Sequence, residues 1–170
     1  ESLRSLAGRK MHSKKNHFNG FVKEYQDRFV YKAIEKSEFE ECLRLSDKWA
    51  FSREKDRNLI GENLAIKKVL KNADKFSCLK IGGIYIDNDL EAFTFGDLIN
   101  SQMAVIHIEK ANPDIRGIYS AVNKLFLENE FPDVEFVNRE DDLGIEGLRK
   151  AKLSYKPLRL VEKYTLTERQ

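Results

Sequence analysis

The chain has 170 residues (19.8 kDa), of which 41% are hydrophobic, 11% aromatic and 34% charged; this supports one domain with its own core and excludes a disordered or linker-like polymer. Two cysteines, Cys42 and Cys78, exclude a disulfide framework or cysteine-rich zinc site and suit a reducing, cytoplasmic setting. The net charge of +2 hides a segregation, with residues 1–25 at net +4, residues 85–114 at −5 and residues 143–170 at +4, which focuses anionic partners on the basic ends.

Residues 2–25 read as one long basic helix in which Arg9, Lys10, Lys14 and Lys15 precede the apolar Phe18 and Phe21. Arg28 to Ile34 has the β-branched and aromatic content of a strand. Ser37-Glu38-Phe39-Glu40 reads as a capping box before a helix with Phe39, Cys42, Leu43 and Trp49 at helical spacing. A second helix is expected over 57–72, with Leu59, Ile60, Leu64 and Leu70 inward.

Strands follow at 76–86, 90–96 and 102–109, and Asp87-Asn88-Asp89 turns the first into the second as a hairpin. Asn112 caps a helix opened by Pro113, with a core face of Ile115, Ile118, Tyr119, Val122, Leu125 and Phe126 and a stop at Phe131-Pro132. A strand over 134–138, a helix from Asp141 or Asp142 to about Leu153 and a strand over 156–166 complete the chain. No apolar run approaches the roughly 20 residues of a membrane span. The order predicts a three-layer α+β domain, a mixed and mainly antiparallel sheet with helices on both faces, preceded by the basic helix.

Three stretches carry a family resemblance: GRKMHSKKNHFNGF (8–21), AVIHIEKANPDIRGIYSAVN (104–123) and VNREDDLGIEGLRKAKLSYKPLRLVEKY (137–164). They resemble the C-terminal catalytic domain of bacterial phosphatidylglycerol lysyltransferases, and the element order resembles the GNAT acyltransferase fold. Members of that family carry two GNAT-like domains in tandem. The resemblance therefore makes residues 1–25 a joining helix and 26–170 the second domain, with the first, N-terminal GNAT-like domain missing.

The resemblance places the donor phosphates at the helix after the 102–109 strand, where free backbone N–H groups and the helix dipole attract anions. The aligned loop is Asp114-Ile115-Arg116-Gly117-Ile118-Tyr119. Arg116 and Gly117 fit a donor-binding role. Asp114 and Tyr119 stand where the family pattern has a Gln or Arg and a small residue. Both departures oppose acyl-CoA, so no cofactor is assigned and coenzyme A is disfavoured.

His107 and Glu109, two residues apart, are expected on one side of their strand as proton acceptors for an attacking amine or hydroxyl. Asn138, Arg139, Glu140 and Asp141 open from a strand end, where polar groups of α/β-type sites gather. Glu140 is the catalytic candidate among them, and Arg139 is suited to a phosphate or carboxylate. Arg149, Lys150 and Lys152 crowd the next helix end, where cations also simply suit the dipole. By resemblance they belong to the site region, with Tyr155 as a proton donor to the leaving group. Arg9, Lys10, Lys14 and Lys15 are the contact for an anionic partner, a tRNA backbone or a lipid headgroup. His12, His17 and His107 lack metal-ligand spacing, so no metal ion is expected.

Three functions remain open. The resemblance favours aminoacyl or acyl transfer to an amine or hydroxyl from aminoacyl-tRNA, by direct attack in a ternary complex. The alternatives are an acyl-CoA-dependent N-acyltransferase and a non-catalytic binding domain for an anionic ligand.

Overall fold

The computed structural model describes residues 1–51 and 57–168, with side chains outside 49–60. Glu1–Glu140 forms one compact unit and Asp141–Gln170 a second. The first unit is built on five strands in the spatial order β1 (Phe29–Ala33), β2 (Lys80–Ile86), β3 (Asp89–Asn100), β4 (Met103–Ala111) and β5 (Phe136–Asn138). β1 to β4 pair antiparallel in sequence, whereas β5 runs parallel to β4. Asp87 and Asn88 take φ of 51° and 75°, the left-handed pair that a two-residue hairpin demands.

Neighbouring residues of β3 enter different cores, as the period of a strand requires. Ala92 packs with Phe21 of α2 (His12–Tyr25) and with Ile118, Ala121 and Val122 of α5 (Ile118–Glu130). Phe93 packs instead with Cys42 and Leu45 of α3 (Phe39–Phe51) and with Ile66 and Leu70 of α4 (Arg57–Lys71). The sheet is thus covered by helices on both faces, the expected three-layer α+β arrangement. A third cluster of Ala104, Ile106, Phe126, Leu127, Phe131 and Val134 extends the α5 side.

Several expected elements differ. The single helix over 2–25 is broken into α1 (Ser2–Ser5), a 3-10 turn at Arg9–Met11 and α2, with Leu6 at φ 49° and Gly8 at φ 85° between them. The break buries Leu6 and Met11, which a straight basic helix would not do. The capping box is made by Glu35 and Glu38 around the 3-10 turn Lys36–Glu38, which leads into α3. On α4 the inward residues are Ile66 and Leu70, and Leu64 is 55% exposed; so many apolar residues there allow two helical stripes, and packing selects one. Trp49, Leu59 and Ile60 lie outside the described side chains.

β2 starts only at Lys80, after a 3-10 turn at Ala73–Lys75, and β3 runs on to Asn100. The helix expected from Asn112 starts at Ile118, capped by Gly117 at φ 86°. The Asn112 side chain accepts the Asp114 amide at 3.1 Å, and this local turn outcompetes the helix. In the second unit Asp141 and Asp142 likewise accept the amides of Leu143 and Gly144, so α6 spans Glu146–Leu153. No strand forms over 156–166, where Leu158 and Leu166 are 85% and 97% exposed. An alternating pattern becomes a strand only where an edge is there to pair with it.

Candidate active site

β4 and β5 pair only from Met103↔Phe136 to Val105↔Asn138. Beyond that the strands part, and Arg139 and Glu140 reach back to β4. β4 itself carries a bulge there: Phe95 pairs with Ile108 and Gly96 with Ile106, leaving His107 as an extra residue. A Cβ on Gly96 would collide with the Val105 carbonyl, so β3 needs glycine where the bulge presses on it.

The bulge separates two groups that the sequence places together. Ile108 packs in the α3/α4 core and Lys110 pairs with Glu62 of α4 at 2.5 Å, whereas Glu109 accepts from Asn123 of α5. His107 lines a cavity with Ile66 and Val69 of α4. His107 and Glu109 therefore lie on opposite faces of the sheet. Strict alternation fails because a bulge inserts one residue into the period.

At His107, Nδ1 stands 2.6 Å from Glu140 Oε1, and Nε2 stands 3.5 Å from Asp97 Oδ1. The cavity measures about 420 Å³ and is walled by Ala65, Ile66, Val69, Phe76, Leu79, Phe95 and Ile108, with Asp97, His107 and Glu140 as its polar residues. Glu140 sits at φ 53°, a left-handed conformation, and its amide donates to Asn138 Oδ1 at 2.8 Å. Asn138 thus shapes the backbone that aims Glu140.

On the α5 face, Glu109 accepts from Asn123 Nδ2 at 2.8 Å and is paired with Arg139. Asn123 is 1% exposed and its Oδ1 is buried without a hydrogen-bond partner among the described residues. Lys14 joins this cluster half-buried, its pKa lowered by burial and by the Arg139 charge, with Glu109 opposing. Lys14 therefore faces inward, while Arg9, Lys10 and Lys15 are exposed. Sequence reasoning missed Asp97 and Asn123. An acid directly after the Phe95-Gly96 bulge partner was the available signal for Asp97; Asn123 lies on a core face with no pattern to mark it.

Gly117, expected to cradle phosphate, meets α2 instead: a Cβ there would collide with the His17 carbonyl. Asp114 lies in the turn before α5 and not in its first turn, and Arg116 falls in the same connection. Tyr119 directs its hydroxyl to the Ala111 carbonyl at 3.3 Å. In the second unit Arg149 grips Asp142 at 2.6 Å, Lys150 pairs with Glu146 at 2.6 Å, Lys152 donates to the Asp141 carbonyl at 2.6 Å, and Asp141 is paired with Lys163. Tyr155 is buried. Among the described residues no acid, His and Cys cluster fits a metal ion, and no helix is long and apolar enough to cross a membrane.

A conserved protein of unknown function from Bacteroides thetaiotaomicron superposes with a TM-score of 0.88 at 36% identity, covering 94% of this chain and 54% of that one. The C-terminal domain of a putative lysylphosphatidylglycerol synthetase from Agrobacterium fabrum gives 0.60 at 14% identity, over 89% of this chain and 53% of that one. A possible acetyltransferase from Clostridium difficile gives 0.59 at 8% identity, over 85% and 98%, which shows the shared GNAT-like fold. An uncharacterized protein of Mycoplasmoides gallisepticum is 23% identical over 164 residues, 96% of this chain and 53% of its own length. The chain spans about half the length of that curated relative and of the Bacteroides protein. Residues 1–167 match the family described as phosphatidylglycerol lysyltransferase, C-terminal, and the chain belongs to that family.

Proposed function

We propose that the domain transfers an acyl or aminoacyl group to an amine or hydroxyl, the acceptor attacking the donor directly within a ternary complex. The observation that carries this is the bulged His107, held by a carboxylate on Nδ1 and lining a mainly apolar cavity. In the neutral imidazole a carboxylate on Nδ1 selects the tautomer protonated there, which is the one that leaves the lone pair on Nε2. Asp97 at 3.5 Å is too distant to hold that nitrogen in a good hydrogen bond.

Nε2 takes the proton of the acceptor N–H or O–H as the new bond to the acyl carbon forms. The donor's ester bond breaks, and the imidazolium returns that proton to the departing oxygen. Glu140 steadies the imidazolium in between. Glu109, on the other face, is tied to Asn123 and Arg139 and holds the parted strands in place.

The donor we favour is an aminoacyl-tRNA. Family membership supports an ester donor, and the exposed Arg9, Lys10 and Lys15 suit a phosphate backbone or an anionic headgroup. Coenzyme A fits poorly, because the α2 backbone lies against the glycine that would cradle its phosphates. The test offers the full-length protein aminoacyl-tRNA or acetyl-CoA with a panel of amine and hydroxyl acceptors. Consumption of the aminoacyl ester is expected, slowed about 10²–10⁴-fold by His107→Gln at unchanged Tm. Consumption of acetyl-CoA in its place would promote the acyl-CoA reading. Consumption of neither would leave a binding domain.

A further inference from the structure

We propose that the cavity beside His107 takes the acceptor, and that this acceptor is a small primary amine on an apolar body. The inference rests on the transfer reading for the word acceptor, but its ligand class stands on the cavity alone.

A volume of about 420 Å³ lies in the range of small-molecule sites. Most of the wall is apolar, with Ile66 and Val69 on α4, Phe76 and Leu79 before β2, and Phe95 on β3. An alkyl or aryl body replaces water there with a gain of about 25 cal/mol for each Å² covered. The polar residues of the lining are two carboxylates and one imidazole, and none of the described lining residues is Lys or Arg.

An ammonium entering this cavity meets the carboxylates of Asp97 and Glu140. It gains charge-assisted hydrogen bonds to Asp97, which is 37% exposed, and to Glu140, which is 45% exposed. A phosphate or carboxylate of the same size faces both negative groups with no Lys or Arg among the described lining residues to answer it, an arrangement that interfaces use to reject wrong partners. Asp97 Oδ1 also lies 3.5 Å from Nε2. An ammonium held on Asp97 loses one proton to solvent and, as the free amine, stands beside Nε2, which takes the second as the C–N bond forms and passes it to the departing oxygen. Recognition and activation fall to adjacent atoms.

The experiment measures, by titration calorimetry at neutral pH on the full chain, four probes: phenethylamine, phenethyl alcohol, 3-phenylpropanoate and glycerol 1-phosphate. The amine is expected to bind about tenfold or more tighter than the carboxylate, which differs in charge at similar size. Asp97→Asn should weaken the amine about five- to tenfold and leave the alcohol unchanged, with Tm reporting an intact fold. Equal or tighter binding of the carboxylate or glycerol 1-phosphate overturns the proposal. So does an Asp97→Asn effect that is the same for amine and alcohol. Selective amine binding by a protein that consumes neither aminoacyl-tRNA nor acetyl-CoA upholds the ligand class and sinks the transfer reading, so the two failures are distinguishable.

Discussion

Cys42 and Cys78 are chemically alike in the sequence and opposite in the fold. Cys42 is fully buried between α3 and the sheet, and burial pushes its thiol up to about 12. Cys78 is exposed. Only the thiolate attacks disulfide reagents. Ellman's reagent should therefore titrate one thiol per folded chain at pH 8 and both in denaturant. Two fast thiols in the native protein would mean that the α3 core opens easily. His107 and Glu109 teach a related lesson, because each was legible as a polar group on a strand. Their partners Asp97 and Asn123 were not, since those pairings join β3 to β4 and α5 to β4 across the fold.

The local chemistry of turns was readable and its three-dimensional outcome was not. Asp87-Asn88 makes its hairpin because both residues tolerate positive φ. The sequence reads Asn112 and either Asp141 or Asp142 as helix caps, yet all three side chains close turns two residues on. Cap and turn use the same oxygen, and the following backbone decides between them. The connection into α5 offers a sharp check. Gly117 has φ 86° and no room for a Cβ beside His17, so Gly117→Ala should destabilise by about 1–3 kcal/mol, read as a lowered denaturation midpoint.

α6 gives a pH-dependent counterpart. The Arg149 guanidinium and the Gly144 amide hold the Asp142 carboxyl down at about 2. A depressed carboxylate contributes stability above its ordinary value near 3.8 and loses it as pH falls through the folded value. The Asp142 carboxyl resonance should thus titrate near pH 2, and Arg149→Gln should raise its midpoint. An unchanged midpoint would show that the ion pair does not form in solution.

For the molecule as a whole, part of the charge segregation is answered within the fold. Within the acidic stretch, Asp87 pairs with Arg28, Glu91 accepts from Asn112, and Glu109 pairs with Arg139. Asp97 meets no Lys or Arg among the described residues; it faces the cavity, 3.5 Å from His107 Nε2. The three hydrophobic clusters draw every residue from positions 3–137, which predicts that a chain ending at Glu140 melts cooperatively in calorimetry. A broad, non-cooperative transition would mean that the second unit completes the fold. Family membership was legible from three stretches of sequence because they span helix, strand and connection alike. The alternating 156–166 segment misled because a pairing edge is a property of neighbours.

The left-handed backbone of Glu140 exposes a conflict between keeping the protein folded and keeping it working. A glutamate pays to sit at φ 53°, where asparagine sits readily. Selection for robustness alone would favour Asn there, and Glu140→Asn should hold or raise Tm. The shorter amide no longer reaches His107 with a carboxylate, so transfer should fall about 10²–10⁴-fold in the same variant. A protein that gains heat resistance as it loses turnover would mark this one residue as kept for its chemistry against its comfort.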